Sequence, residues 1–171
     1  VWFERFVAYD NARLPEAMIR AGHALNRPEW TDEGIETLTW LCKLQSTPDG
    51  LFRPMGTAGM AKRLRLAAPF DQQPVEAAAT VDACAAAFEV TGDLTWLHEA
   101  RRAFDWFMGA NDLGVAIADP VRGTCYDGLT PDRVNLNQGA ESILAFQLAI
   151  CAMHALDRAA RRNPARALSA R

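Results

Sequence analysis

The sequence predicts an all-α fold built from antiparallel helical hairpins. Three times, a long hydrogen-bonding side chain precedes a glutamate by three residues and a small residue follows it. These glutamates are Glu16, Glu76 and Glu141, which lie 60 and 65 residues apart, enough for two helices and their connections. Ala-rich segments also alternate with more amphipathic ones, and no segment has a convincing strand pattern. A fixed period of this kind is typical of a repeat architecture made of helical hairpins.

Apolar residues at helical spacing define five predicted helices. They span about 12–25, 31–44, 73–90, 93–109 and 138–156. Pro28 is expected to end the first arm, and Thr31 is expected to cap the second helix. Gly92 is the predicted stop of the third helix. Two stretches rich in Gly and Pro, 46–69 and 110–136, are predicted as long loops.

The helices that open at the repeated motif carry little charge after the glutamate, as expected of helices buried on most sides. The helices between them are more amphipathic. Inner helices should therefore alternate with outer ones, and the three glutamates should face one end of the assembly. Residues 1–157 are predicted to form one domain, followed by a basic, flexible tail over 158–171.

The composition of the chain argues against two classes of partner, nucleic acids and membranes. Half of the 171 residues are apolar, and the formal net charge of −3 gives no electrostatic reason to expect nucleic acid. The most apolar stretch, 140–156, contains Glu141, Gln147 and His154 and falls short of the ~20 residues of a membrane span, so no membrane partner is expected. The chain opens on Val1 without an initiator methionine, which suggests the C-terminal piece of a longer protein.

The four cysteines are far apart in the sequence and form no C-x-x-C pair. This spacing indicates reduced thiols and predicts a cytoplasmic protein. The motifs of nucleotide-binding loops, zinc proteases and serine hydrolases do not occur. The Asp132–Asn137 stretch does not fit an EF-hand loop. Neither a metal nor a cofactor is therefore expected.

Carboxylates at converging helix ends are the candidate catalytic groups. Glycoside chemistry needs two carboxyl groups that flank the scissile bond, and helix dipoles stabilise carboxylates at N-termini. The candidates are Glu76, Glu141, Asp71 and Asp127. The structural alternative is that each acid only satisfies unpaired amides in a first helical turn.

Candidate substrate-binding residues surround the same motifs. Amide side chains can pair with sugar hydroxyls, and aromatic faces suit the apolar face of a sugar ring. The predicted set is Asp10, Asn11, Arg13, Gln72, Gln73, Tyr126, Asn135, Asn137 and Gln138. Other aromatic residues of these segments are Trp2, Phe3, Tyr9, Phe52 and Phe70. Packing of the loops onto the helices is the preferred interpretation for Phe52 and Phe70.

These motifs resemble the C-terminal half of bacterial (α/α)-toroid proteins, which are often encoded with glycosyltransferases. The resemblance rests on three segments: Tyr9–Pro15, Phe70–Ala77 and Asp127–Ser142. That architecture is similar to six-hairpin glycosidases and sugar epimerases. The resemblance implies that the chain forms part of an (α/α)6 toroid and has a carbohydrate-related role. It does not imply a particular reaction. The chain has two and a half hairpins where a closed toroid has six, so an N-terminal region or a second subunit would supply the missing half.

The leading functional hypothesis is a carbohydrate-active domain that processes a glycan or sugar by carboxylate acid/base chemistry. The main rival is a non-catalytic helical-repeat module that binds a glycan or a partner glycosyltransferase. A third hypothesis is a structural fragment whose acids only cap helices.

Overall fold

A computed structural model describes residues 2–4, 7–57 and 69–162. This part of the chain is mostly helical, as the sequence predicts. Its five helices are α1 (Arg13–Ala24), α2 (Pro28–Leu44), α3 (Pro74–Thr91), α4 (Leu94–Asp105) and α5 (Ala140–Arg162).

The helix ends follow local chemistry. Gly92 adopts a left-handed conformation with φ of 71° and ends α3, and the Asp93 carboxylate accepts a hydrogen bond from the Thr95 amide at 2.9 Å, which caps α4. Both ends were predicted. The expected start of α2 at Thr31 is wrong, because α2 already begins at Pro28. A proline at the first helical position has no N–H to satisfy and a φ suited to the helix.

The expectation of a strand-free chain is also wrong. The second long loop folds into two short antiparallel pairs. Strand β1 (Ala118–Asp119) pairs with β2 (Thr124–Cys125), and β3 (Gly128–Leu129) pairs with β4 (Val134–Asn135). Each strand has two residues, too few for alternation of apolar and polar side chains to appear in the sequence.

Helix α3 lies at the centre of the fold and packs against α1, α4 and α5. It is buried along most of its 18 residues, and many of these are alanines. Small side chains let neighbouring helices approach on several sides. The pair α1–α2 is a hairpin joined by a short connection, and α3–α4 is a second one. The predicted alternation of more buried and more amphipathic helices thus holds for α3 and α4. It is wrong for α1 and α5, because only Pro15, Ile19 and Gly22 of α1 are buried and most of α5 is exposed or half-buried.

Helix α5 is longer than predicted and continues to Arg162. The predicted tail is therefore wrong for residues 158–162, and residues 163–171 lie outside the described part. Helix α5 has 23 residues, and an 18-residue window within it has a mean hydropathy of 1.3, so it is long and apolar enough to cross a membrane by length and composition alone. The sequence therefore underestimated the length of this apolar helix. Length and composition are weak evidence for a membrane span, because core helices of soluble proteins pass the same test. One side of α5 packs against α3 and α4.

Candidate functional site

The first turns of α1, α3 and α5 meet around the segment Tyr9–Arg13. The Tyr9 hydroxyl donates a hydrogen bond to Glu141 Oε2 at 2.6 Å, and the backbone amide of Asp10 donates to Glu76 Oε1. Arg13 Nη1 donates to Glu16 Oε2 at 2.8 Å. We call these residues the helix-start cluster: Tyr9, Asp10, Asn11, Arg13, Glu16, Glu76 and Glu141. The three repeated glutamates therefore contact one short segment of chain.

Glu76 is buried beneath this segment, with 2% of its surface exposed. Besides the Asp10 amide, its carboxylate accepts hydrogen bonds from the Asn11 amide at 3.3 Å and from Asn11 Nδ2 at 2.9 Å. Burial raises the pKa of Glu76 to about 7, although the hydrogen bonds from Asn11 and Asp10 oppose that shift. Glu76 thus holds a proton near neutral pH and also anchors the segment before α1.

Glu141 and Tyr9 are the accessible part of the helix-start cluster. Glu141 is exposed, and Tyr9 is half exposed. The hydrogen bond to Glu141, followed by partial burial and the nearby negative charges, raises the pKa of Tyr9 to about 12. The phenol therefore remains a donor at physiological pH and orients the Glu141 carboxylate.

Arg13 is occupied by acidic groups of the protein. Its Nη1 atom donates to Asp82 Oδ2 at 2.7 Å as well as to Glu16, and its Nε atom lies 3.4 Å from Asp10 Oδ1. Although burial would lower the pKa of Arg13, the hydrogen bonds to Asp82 and Glu16 raise it. Burial raises the pKa of Asp10, and Arg13 opposes this shift. Arg13 thus ties α1 to α3 and does not offer a free guanidinium to a ligand.

Asp127 stabilises the start of α5. Its carboxylate accepts hydrogen bonds from the Gly139 amide at 2.7 Å and from Asn137 Nδ2. Slight burial would raise the pKa of Asp127, but hydrogen bonds from Asn137, Gly139 and Ser142 lower it. A carboxyl group with a lowered pKa that is engaged by a helix end is a cap and is unsuited to donate a proton.

Gln72 is fully buried and uses all its polar side-chain atoms within the protein. Its Nε2 atom donates to the Pro69 carbonyl at 2.9 Å and to Asp112 Oδ2 at 2.5 Å. Its Oε1 atom accepts from Trp106 Nε1 at 2.8 Å. The predicted substrate-binding role therefore does not fit Gln72, because its side chain is fully buried and both amide hydrogens are donated within the protein.

The same contacts reveal a pair that sequence reasoning missed. Arg53 Nε donates to both carboxylate oxygens of Asp112 at 3.0 and 2.9 Å. Burial would raise the pKa of Asp112, but hydrogen bonds from Arg53 and Gln72 lower it. The two residues are 59 positions apart in the chain and belong to no repeat. Asp82, the partner of Arg13, was missed for the same reason.

The other predicted residues lie outside the helix-start cluster. Asp71 and Gln138 are exposed, and Gln73 precedes α3 without a side-chain capping bond. Tyr126 is partly buried against the core, and Asn135 Oδ1 accepts from the Asn137 amide at 3.2 Å. In the described part of the chain, no hydrogen bond or ion pair joins any of these side chains to Glu76 or Glu141.

Several of the aromatic residues pack loops onto helices. Phe52 is fully buried beneath the Arg102 guanidinium, as the packing interpretation predicts, and Trp2 lies with its ring centroid 5.5 Å from that of Trp40. A cavity of about 340 Å³ lies between α2 and α4. Residues that line it include Ile35, Lys43 and Trp96, and none of its lining residues belongs to the predicted site.

Within the described ranges, no group of three or more His, Cys, Asp or Glu side chains is placed to hold a metal ion. No protein-family model matches the sequence, and no curated protein is significantly similar to it.

Proposed function

We propose that this chain is a carbohydrate-active domain whose ligand contacts the exposed Tyr9–Glu141 pair. The observation that carries the proposal is the 2.6 Å hydrogen bond from Tyr9 that orients the Glu141 carboxylate at the surface. Asp10, the next residue of the chain, donates its backbone amide to the buried Glu76. Oriented carboxylates and phenols are suitable partners for sugar hydroxyls. The half-exposed ring of Tyr9 adds an apolar face for a sugar ring.

Acid/base chemistry fits the two glutamates as a pair. Glu76 has a pKa of about 7 because it is buried, so it can hold the proton that a leaving group requires. Glu141, exposed to solvent, can act as the base or nucleophile. Glu76 reaches a ligand only if the segment over it moves, because its carboxyl is covered by Asp10 and Asn11.

A non-catalytic glycan-binding module is the second candidate function. The observation in its favour is the set of three donors that already occupies the Glu76 carboxylate. In that case Glu76 only anchors the segment before α1, and the exposed Tyr9 and Glu141 form a binding surface with the half-buried Asp10 beside them.

The helical layer supports the proposal of a partial (α/α) toroid. In this proposal α1, α3 and α5 are inner helices that start at the ligand end, and α2 and α4 are outer helices. Further hairpins, from an N-terminal region or a second subunit, would pack against the uncovered flank of α1. Leu14 and Leu25, exposed by 36% and 62%, are available for that contact.

A panel of neutral oligosaccharides tests the proposed function, with bound ligand and released reducing ends measured in parallel. Glu141→Gln should abolish turnover and leave the melting temperature nearly unchanged, since a glutamine oxygen still accepts from Tyr9. Glu29→Gln is the matched control, because Glu29 is a first-turn acid of α2 outside the helix-start cluster; it should alter neither property.

Binding that weakens in Glu141→Gln without any turnover would favour the non-catalytic module. Failure of the whole panel to bind, or equal binding by Glu141→Gln and the wild type, would contradict the proposed site.

A further inference from the structure

Helix α5 presents a continuous exposed stripe along the side that faces away from α3. The stripe consists of Glu141, Leu144, Leu148, Cys151, Ala155, Arg158 and Arg162. These positions alternate in steps of three and four residues, which is the spacing of a helix–helix seam. Leu144 and Leu148 are 60% and 53% exposed. Adjacent apolar side chains with this exposure are typical of an interaction surface.

The two ends of the stripe carry opposite charges. Glu141 lies at its N-terminal end, and Arg158 and Arg162 lie at its C-terminal end, with the apolar positions between them. Neither arginine has an ion-pair partner in the described part of the chain. The nearby Asp157 is already engaged by Arg101 at 2.7 Å. The stripe therefore carries an acidic end and a basic end over a length of about 32 Å, at 1.5 Å per residue.

We infer that α5 pairs with α5 of a second copy of this chain, in antiparallel orientation about a two-fold axis close to Cys151. This orientation places Glu141 of each copy opposite Arg162 of the other and brings Leu148 opposite Ala155. Cys151 then faces its own counterpart. A parallel pair would instead place glutamate against glutamate and arginine against arginine, which repels.

The antiparallel orientation has two further physical supports. The dipoles of the two α5 helices then oppose each other. The small side chains of Cys151 and Ala155 also allow close approach at the centre, while Leu148 supplies the apolar contact against Ala155 on either side and Leu144 lies opposite the aliphatic stem of Arg158. A two-fold contact of this kind is self-complementary and closed, so it gives dimers and not filaments. This inference is argued from the exposed stripe and not from the proposed carbohydrate function. The two share Glu141, whose Oε2 atom accepts from Tyr9, so a ligand at Glu141 would compete with Arg162 of the second copy for the same carboxylate.

Solution mass measured over a range of concentrations and salt is the first test. The wild-type chain should be a dimer that dissociates more readily at high salt, because the end contacts are ionic. Leu148→Arg should raise the dimer dissociation constant by at least about tenfold, as expected for the loss of a central apolar contact. Leu25→Arg is the matched control, since Leu25 is 62% exposed and follows α1, a helix that α5 does not pack against; it should leave the dimer intact.

Cysteine cross-linking tests the orientation. Cys151 is exposed whereas Cys42, Cys84 and Cys125 are buried, so a short bis-maleimide should link native chains through Cys151 alone. In a Cys151→Ser background, chains that carry Leu148→Cys should cross-link to chains that carry Ala155→Cys, and neither should link efficiently to itself. Self-linking of Leu148→Cys chains would overturn the antiparallel arrangement.

Three results would overturn the inference as a whole. The first is a wild-type chain that stays monomeric at all concentrations. The second is a dimer that Leu148→Arg leaves unchanged while circular dichroism shows a native fold. The third is binding of anionic phospholipid vesicles that Leu148→Arg abolishes in a monomeric chain, because the stripe would then be a lipid-binding surface.

Discussion

Glu76 experiences two opposing effects at a single carboxyl group. Burial favours the protonated form, whereas three donors from Asp10 and Asn11 favour the carboxylate. Burial is the larger effect, so the proton is held up to about pH 7. These three N–H donors still need the oxygens of Glu76, because without them each donor would be a buried or half-buried polar group that lacks a hydrogen-bond partner.

The substitution Glu76→Gln should be costly although it is isosteric. Both carboxylate oxygens accept hydrogen bonds, so either orientation of the amide turns an NH2 group toward a donor. We expect the free energy of unfolding to fall by about 1–3 kcal/mol, measured by chemical denaturation at neutral pH. Glu141→Gln is the control and should be nearly neutral. Equal effects of the two substitutions would contradict the anchoring role of Glu76.

The raised pKa of Glu76 also predicts how stability depends on pH. The folded-state pKa of about 7 exceeds the unfolded value near 4.5, so the folded chain retains a proton that the unfolded chain releases. This contribution to stability is fully present below about pH 4.5 and is lost as the pH rises through about 7. The loss amounts to roughly 3 kcal/mol between those limits.

Denaturation curves at a series of pH values between about 5 and 7 measure this effect. The wild-type free energy of unfolding should decline with rising pH, and the decline should be smaller in Glu76→Gln. Asp112 and Asp127 act in the opposite direction, because their lowered pKa values stabilise the fold at higher pH. Their contribution is lost only in more acidic solution, which separates it from that of Glu76. A wild-type curve identical in slope to that of Glu76→Gln would refute the prediction.

Single residues of the site differ in how readily the sequence predicts them. Asp10 and Asn11 were predicted as substrate-binding residues and not as partners of Glu76, which lies 66 and 65 positions away. Glu16, Glu76 and Glu141 could be recognised because a repeat marks them. Asp82, Arg53 and Asp112 could not, since their partners lie 59 to 69 positions away and no pattern connects them. Such pairs are determined by tertiary packing.

At the scale of elements, β3 depends on a glycine. Gly128 has φ of 130°, and a Cβ atom there would lie 1.9 Å from the Gln72 carbonyl oxygen. The backbones of Gln72 and Leu129 exchange two hydrogen bonds of 2.9 Å, so neither segment can move away without losing both. This close approach connects the second long loop to the start of α3.

The substitution Gly128→Ala should therefore destabilise the fold by more than the cost of placing an alanine at a positive φ. Gly50→Ala is the matched control, because Gly50 also has positive φ, at 83°, but no atom lies within 4 Å of the added Cβ. We expect Gly50→Ala to cost about 1–2 kcal/mol and Gly128→Ala at least about 2 kcal/mol more. Thermal melts of the two variants provide the comparison, and similar melting temperatures would argue against a steric role for Gly128.

Helices were easier to predict than their ends and the short strands. Long apolar periodicity located all five helices, and Gly92 and Asp93 fixed a turn whose chemistry is local. The start of α2 was misplaced because Thr31 and Pro28 both carry helix-start signals, and the proline lies earlier in the chain. The two-residue strands depend on backbone partners such as Gln72, which their own sequence does not encode.

At the scale of the whole molecule, α3 is the element that holds the others together. Ala79, Ala83 and Ala87 are fully buried, and neighbouring helices pack on α3 from several sides. Alanine suits this position because it allows close helix approach and has high helix propensity. A larger side chain at one of these three positions must displace a neighbouring side chain or helix.

The substitution Ala83→Leu should consequently destabilise the whole fold. Extra methylene groups in a filled core force neighbouring side chains or helices to shift, at a cost of about 1–3 kcal/mol. The matched control is Ala24→Leu at the exposed end of α1, which should stay within about 0.5 kcal/mol of the wild type. Because α3 contacts all four other helices, far-UV circular dichroism and tryptophan fluorescence should lose signal together in the variant. Separate transitions, or a stability equal to that of Ala24→Leu, would show that α3 is not the common core.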